Sequence, residues 1–452
     1  MIVAFFALVA VTIAAGLLDW RRGALLCVPV GFLQDPARKL IAERPVAMVV
    51  VVAICFVACL LGAMLRDGGL GVRPFYALYP RLRVPVILFV AWVVLQSAMT
   101  LLRTGRPVLA GLGLLSYLSP PLALLLGFRF ASRSTALERW TWVYLAGGGL
   151  VAATVGLEFA GVEHVLFDSI GVDIVYGTSG LVEMMSGLMR SSEIAAWHLA
   201  AALCLAVGGV VTAARLRTRL VLAALAGGLF IALLLTGRRK MLAEVALFAL
   251  FFVLLLAARR GRAPVGLRWS FAALLAAALA FQLVSRGRGL VLVPYVQRGV
   301  TVVAESTQRL EGMTVGQLGS IVSRTGFLGL GAGTGAQGAQ YFGGGVELVG
   351  GAAEGGLGKI LAELGVPGVA ILAWLSIAFG RALRRIARGA GRLPQPLAVP
   401  AYALIAFLPA NLAVFLTAHQ VYGDPFVLIV LGWLAGAVLA LPHRARAEGA
   451  IA

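Results

Sequence analysis

The hydrophobic positions of the chain fall into long, nearly uninterrupted runs separated by short polar segments. A helix needs about 20 apolar residues to cross the hydrocarbon core of a bilayer, so we interpret the longer runs as transmembrane helices. A shorter run, 23–33, is too short to span and is predicted to be re-entrant or interfacial. The pattern predicts an all-α, polytopic integral membrane protein with about twelve spans, at 1–18, 46–65, 84–102, 107–128, 140–161, 194–214, 219–236, 241–258, 267–285, 366–383, 398–418 and 425–442.

The composition supports this fold class. Of the 452 residues, 61% are hydrophobic and 13% are charged, as in integral membrane proteins. The formal charge of +19 comes from Lys and Arg in short clusters between the apolar runs, so we expect it to set topology and expect no nucleic acid partner. The four cysteines have no metal-like spacing and are predicted to be small core residues: Cys27, Cys55, Cys59 and Cys204.

The basic residues predict the orientation. Loops on one side contain 18 Lys and Arg in 65 residues, whereas loops on the other side contain 17 in 153 residues. The positive-inside rule makes the denser side cytoplasmic and places both termini there. Segment 19–45 disagrees, because it carries five basic residues on the predicted outer side. A misassigned first or second span is the alternative.

Two of the predicted external loops are long. Segment 162–193 has 32 residues and segment 286–365 has 80, and loops of that size usually carry function. The second contains "GLGAGTGAQGAQYFGGG", for which packed turns are favoured over a flexible tether because apolar residues flank it. The predicted organisation is helices 1–9 with segment 23–33 in 1–285, the large external loop in 286–365, and helices 10–12 with a cytoplasmic tail in 366–452.

The stretch "LTGRRKMLAEV" places Arg238, Arg239 and Lys240 in the tight external turn between the seventh and eighth spans. The N-terminus of a helix favours an anion, and guanidinium groups add donors suited to phosphate. The alternative is that the three cations only reach towards lipid headgroups. We favour the phosphate site, because topological bias alone would remove such a turn from this face. Glu244 is expected to pair with Lys240 one turn further along.

Other predicted external arginines could join this turn, although each alone is typical of a loop or interface residue. Several arginines facing few acids would suit a diphosphate. They are Arg190, Arg286, Arg288, Arg298, Arg309 and Arg324.

The segment "AAEGGLGKILAELGVPG" supplies a candidate base, Glu354, just before the tenth span. A partly buried carboxylate near the membrane surface can act as a general base. An acid that only complements the helix dipole is an equally good interpretation. Glu363 is expected to be solvated or to cap a helix, and His419 in "TAHQVYGDPF" is a reserve base. No nucleotide-binding or metal-binding motif is found, so no cofactor and no metal are expected.

Together these motifs resemble the bacterial O-antigen ligase and O-antigen or exopolysaccharide polymerase superfamily. The resemblance rests on "TGRRK", then "QRLEGM" in a large external loop, then "GLGAGTG", then "AELGVPG", and it covers roughly residues 190–370. The ligase motif has His-Asn eleven residues before the Gly of "ELG". This chain has Glu354 and Gly355 there.

The resemblance implies a multi-pass enzyme of the inner membrane with GT-C-like character. It implies undecaprenyl-diphosphate-linked saccharide as donor and a saccharide hydroxyl as acceptor. Its further implied partners are membrane lipids and a chain-length regulator or polysaccharide export proteins. By the same analogy, Arg238 and Arg309 are the leading diphosphate ligands, followed by Arg190 and Arg239.

We therefore expect a periplasmic, inverting and metal-independent polysaccharide polymerase. Ligation of polysaccharide to lipid A–core is the second interpretation. A lipid-linked saccharide transporter or flippase is the alternative from another class. Charge within the predicted spans is scarce, Glu158 and Glu244 being the acids there, which favours surface chemistry over a transmembrane path.

Overall fold

A computed structural model describes residues 1–132, 134–170, 174–177, 180–258, 295, 318–336, 338–342 and 355–447. Ten helices in these ranges are long and apolar enough to cross a membrane. The chain is therefore a multi-pass membrane protein built from α-helices, as predicted. The predicted ninth span, 267–285, and most of the predicted large loop lie outside the described residues. The three-part organisation 1–285, 286–365 and 366–452 stays a prediction.

The described helices are numbered here in chain order. The first eight are α1 Ile2–Leu18, α2 Trp20–Lys39, α3 Val51–Arg66, α4 Val72–Leu78, α5 Pro80–Thr104, α6 Pro107–Phe130, α7 Ser134–Phe159 and α8 Ser192–Thr212. The next seven are α9 Leu216–Leu235, α10 Arg239–Ala258, α11 Leu318–Thr325, α12 Gly356–Ala390, α13 Gln395–Thr417, α14 Pro425–Leu439 and α15 Leu441–Ala447. An antiparallel pair, β1 Ile174–Gly177 and β2 Gly180–Glu183, lies between α7 and α8.

The helices pack side by side, so the bundle has two ends. We call one the Asp67 end, where Asp67 pairs with Arg21 and Arg129, and where the Tyr79 hydroxyl donates to the carbonyl of Leu439 at 2.7 Å. We call the other the Arg190 end, which is defined by the ion pairs of Arg190 with Asp35 and Asp424.

The first 45 residues differ from the prediction. Instead of a short re-entrant piece at 23–33, the structure has the 20-residue helix α2. Its first turn lies at the Asp67 end, because Trp20 Nε1 donates to Asp67 at 2.8 Å. Its last turns lie at the Arg190 end, where Asp35 meets Arg190. A 20-residue helix is about 30 Å long, so α2 runs the length of the bundle.

Close glycine contacts hold this first hairpin together. A Cβ placed on Gly23 would lie 2.5 Å from the Cα of Gly16, and one on Gly62 would lie 1.9 Å from the carbonyl oxygen of Gly16. Small residues let membrane helices approach this closely. The last turn of α1 meets the first turns of α2 at the Asp67 end, and α1 packs along α2. The start of α1, at Met1, therefore lies towards the Arg190 end. Met1 and α15, the last described helix, therefore lie at opposite ends of the bundle, and segment 19–45 is not one external loop.

Residues 329–336, the first part of the Gly-rich segment after α11, form packed turns, as expected. Gly331 and Gly333 have φ angles of 115° and 92°, in the region that favours glycine. A Cβ on Gly333 would lie 2.0 Å from the carbonyl oxygen of Leu109 on α6. The segment also bonds to α12, because the amide of Gly331 donates to the carbonyl of Glu363 at 3.1 Å. This segment thus ties α6 and α12 together.

Candidate functional site

The basic turn begins where α9 ends at the Arg190 end. Gly237 has a φ of 64°, which reverses the chain, and the hydroxyl of Thr236 accepts from the amide of Arg238 at 3.3 Å. Helix α10 then starts at Arg239. Thr236 and Gly237 are buried, whereas Arg238, Arg239 and Lys240 are half-buried. The predicted turn and helix start are both present.

Two helix N-termini meet at this turn. The side chain of Ser191 caps α8 by accepting from the amide of Ile194 at 3.4 Å. The next residue, the buried Ser192, accepts a hydrogen bond from Arg238 Nε at 2.9 Å. The first turns of α8 and α10 therefore lie against each other. The positive ends of both helix dipoles add to the charge of the cations there.

Lys240 differs from expectation. It forms an ion pair with Glu193 of α8, and its Nζ donates to Gln420 Oε1 at 3.1 Å. The expected pair with Glu244 is absent, because the described contact of Glu244 is with Asn411. A one-turn spacing made the pair plausible, but the neighbouring helix supplied a closer acid. The basic turn thus joins α8, α10 and the segment after α13.

Glu244 belongs to a buried polar network that the sequence pattern did not reveal. Asn411 Nδ2 donates to Glu244 Oε1 at 2.9 Å, and Trp197 Nε1 donates to Asn411 Oδ1 at 2.8 Å. The Tyr422 hydroxyl donates to the same Asn411 oxygen at 3.1 Å. These contacts join α8, α10 and α13 one turn below the basic turn. The one sequence signal was a lone Asn in an apolar run.

Arg190 has a different environment from Arg238. Its Nη1 lies 2.6 Å from Asp424 Oδ2 and 3.4 Å from Asp35 Oδ1, and both acids are buried. These carboxylates raise the pKa of Arg190 above its usual value, although burial opposes them. Asp424 also caps α14 by accepting from the amide of Val427 at 2.9 Å. Arg190 therefore joins α2, the start of α8 and the start of α14.

The loop between α7 and α8 is held at its base by two charged groups. Glu158 accepts from the amides of Ser186 at 2.8 Å and Gly187 at 2.6 Å. Lys39, at the end of α2, donates to the carbonyls of Leu166 and Gly187 at 2.8 and 2.9 Å. The loop is thereby fixed beside Arg190.

The remaining predicted site residues are distributed as follows. His419 directly precedes Gln420, so the turn that carries it lies beside Lys240. Arg324 is exposed in the last turn of α11, which packs on α12. Glu354, Arg288 and Arg309 lie outside the described residues.

Glu363 was expected to be solvated or to cap a helix, and that expectation is wrong. It is fully buried in α12, where Oε2 accepts from the Tyr117 hydroxyl at 2.6 Å and Oε1 accepts from the amide of Gly335 at 2.8 Å. Lys359 lies one turn earlier over the Tyr117 ring at 5.4 Å. Glu363 thus fixes the Gly-rich segment to α6 and α12.

Within the part of the chain that the structure describes, no three or more His, Cys, Asp or Glu side chains cluster as a metal site would require. No protein-family model and no curated protein matches this chain.

Proposed function

We propose that this protein is a bacterial inner-membrane glycosyltransferase that polymerises saccharide units carried on undecaprenyl diphosphate. The observation that carries the proposal is the meeting of the first turns of α8 and α10 at Arg238, Arg239 and Lys240. Such an arrangement favours an anion with several oxygens, because helix N-termini and guanidinium groups both donate towards it. That the donor carries a saccharide is proposed from the order of the sequence motifs, which resembles the order in O-antigen ligases and polymerases.

The donor diphosphate is placed beside Arg238, with Arg239 as a second ligand. Arg238 is held by Ser192, so its planar group is oriented before the donor arrives. Arg190 supports the same end by fixing the start of α8, which carries Ser192. Arg309 is assigned to the diphosphate by the sequence motifs alone, and Arg288 and Arg324 are assigned to it as further arginines of the predicted external loop.

The proposed reaction is a single displacement. The carboxylate of Glu354 takes the proton of an acceptor hydroxyl, and the hydroxyl oxygen attacks the anomeric carbon of the donor sugar. The bond from that carbon to the diphosphate oxygen breaks, its electron pair leaves with the undecaprenyl diphosphate, and the configuration inverts. Arginines stabilise the charge that develops on the leaving diphosphate. Because the broken bond supplies the energy, the reaction uses no nucleotide.

We place the Arg190 end in the periplasm and the Asp67 end in the cytoplasm. The support is the distribution of basic residues, which is denser on the loops of the Asp67 end. In this orientation Arg21 and Arg22, which disagreed with the rule as part of an external loop, lie on the cytoplasmic side. The C-terminal helix α15 is then cytoplasmic and Met1 is periplasmic.

A two-variant polymerisation assay tests the proposal. Purified protein is incubated with a lipid-linked repeat unit, and products are separated as a ladder. Arg238→Lys keeps the charge but loses the planar guanidinium group, which can donate two parallel hydrogen bonds to a phosphate. Donor affinity and the amount of product should therefore both fall. Glu354→Gln should keep donor affinity, while the rate falls about 10²- to 10⁴-fold, the usual range for general-base catalysis.

Arg392→Lys is the matched control, because Arg392 is exposed after α12 at the Asp67 end, opposite to the starts of α8 and α10. We expect it to affect the ladder less than Arg238→Lys does. Normal ladders from Arg238→Lys would show that the turn does not bind donor. Normal rates from Glu354→Gln would move the base elsewhere, with His419 the next residue to substitute. If wild-type protein makes no ladder but transfers polysaccharide to lipid A–core, the ligase interpretation replaces polymerisation.

A further inference from the structure

A cleft of about 950 Å³ opens on the outside of the bundle near the Asp67 end. It lies between α5 and α6, with α4 across one end. Along α5 it extends from Pro80 to Ala91, which is about 16 Å of helix. The cleft is far from the basic turn, since it begins at the end of the bundle opposite to Arg190.

The walls of the cleft are apolar and face away from the bundle. Leu118, Leu122 and Leu125 form the α6 wall at one-turn spacing, and Ile87 and Val90 face them from α5. These side chains are exposed or half-buried. The other face of α6 packs on α14 so closely that a Cβ on Gly127 would lie 2.5 Å from the carbonyl oxygen of Trp433. The cleft therefore opens to lipid, not to the core.

Prolines and small residues lie at the walls of the cleft or beside them. Pro121 lines the cleft within α6, and Pro85 lies within α5. Ala77 and Ala91 add little side-chain volume at the cleft walls. The space is thus built into the sequence of its walls.

Two cations stand at the Asp67 end of the cleft. Arg73 of α4 and Arg83 of α5 both line it, and both are exposed. No acidic residue lines the cleft, and neither guanidinium has a hydrogen bond or ion pair with any residue that the structure describes. An anionic group placed between them would therefore meet two cations and no competing carboxylate.

We propose that this cleft binds one anionic diacyl phospholipid, with its phosphate at Arg73 and Arg83 and an acyl chain between α5 and α6. The charge requires an anion, and the apolar walls require a hydrocarbon chain covalently joined to it. Inorganic phosphate would use only the first feature, and a neutral lipid only the second. Arginines that only reached towards headgroups would need no cleft beneath them. The site is independent of the proposed transferase reaction.

Native mass spectrometry tests the site. Protein is purified in a mild detergent, exchanged into nanodiscs containing phosphatidylglycerol and phosphatidylcholine in equal amounts, and released for analysis of retained lipid. We expect one phosphatidylglycerol on the wild-type protein. In Arg73→Gln/Arg83→Gln its retention should fall roughly 10- to 30-fold, since each cation near an anionic lipid surface contributes about 1 kcal/mol.

Arg66→Gln/Arg81→Gln is the matched control, because both arginines are exposed near the same end but do not line the cleft. It should retain the lipid as the wild type does. A second variant, Ala91→Trp, fills the apolar part without changing charge and should also lose the lipid. Equal loss in the control pair would overturn the proposal in favour of general attraction to the membrane surface.

Two further outcomes also decide the proposal. Full retention in Ala91→Trp would show that the chain does not enter the cleft. If inorganic phosphate at millimolar concentration displaces phosphatidylglycerol, the site is a simple anion site. Each of these results would contradict the phospholipid assignment, whereas loss in both cleft variants with retention in the control supports it.

Discussion

The two ends of the bundle use positive charge in different ways. At the Arg190 end, a cation from one segment meets acids from others: Arg190 lies between Asp35 and Asp424. At the Asp67 end, Arg73 and Arg83 have no hydrogen bond or ion pair with a described residue and face an apolar cleft. The charge of Arg190 is therefore neutralised within the protein, whereas the charges of Arg73 and Arg83 face the membrane.

Burial explains the difference. The Arg190 side chain is 12% exposed and its two partners are 1% exposed, and a buried charge is tolerated only when it is paired and hydrogen-bonded. Exposed arginines near headgroups keep their hydration and need no partner from the chain. Arginines that are buried are therefore paired within the protein, whereas the exposed Arg73 and Arg83 are left facing the membrane surface.

The largest expected effect concerns which end of the bundle the first turn of α2 occupies. Single cysteines at Arg22, Glu163 and Arg392, all exposed positions, are treated with a membrane-impermeant thiol reagent in intact spheroplasts. The native cysteines are buried and should stay unmodified. In the structure Arg22 lies at the same end as Arg392, so both should be protected while Glu163→Cys is labelled.

Labelling of Arg22→Cys together with Glu163→Cys would contradict the full-length helix α2 and restore the external loop. Labelling of Arg392→Cys but not of Glu163→Cys would instead reverse the proposed sides of the membrane and leave the helix arrangement intact. Permeabilised spheroplasts, in which all three positions should react, provide the control.

The second effect is on stability at the Arg190 end. Arg190→Met leaves two buried carboxylates without their cation, so the free energy of unfolding should fall by about 3–5 kcal/mol. Arg44→Met is the control, because Arg44 pairs with Asp168 in a half-exposed position and such pairs contribute about 0–1 kcal/mol. Denaturant-induced unfolding in detergent measures both. Equal losses would show that burial does not set how much these ion pairs contribute to stability.

The smallest effect is expected at the Asp67 end. Asp67→Asn keeps an acceptor for Trp20 Nε1 but removes the charge that pairs with Arg21 and Arg129. Because these side chains are partly exposed, the free energy of unfolding should fall by about 1 kcal/mol or less. The same unfolding measurement compares it with Arg190→Met. A loss as large as that of Arg190→Met would remove the contrast between the two ends.

At the candidate site, sequence reasoning found the components but not their partners. The turn at Thr236–Gly237 and the helix start at Arg239 were predictable, because a Gly and three cations interrupt an apolar run. The partners of Lys240 and Glu244 were not, because Glu193 and Asn411 come from other helices. Glu363 was misjudged for the same reason, since the Gly-rich segment and α6 bury it.

The sequence by itself determined the membrane class, the helical architecture and the grouping of most loops by side. The length of an apolar run and the clustering of basic residues are local properties of the chain. They determine how a segment inserts into the bilayer without contacts to other segments. The path of α2 was decided by tertiary structure. Its polar residues Gln34, Asp35 and Lys39 made it look too short to span, but contacts with neighbouring segments satisfy them. A buried polar side chain is tolerated when its partner is near, and only the packed bundle brings those partners together.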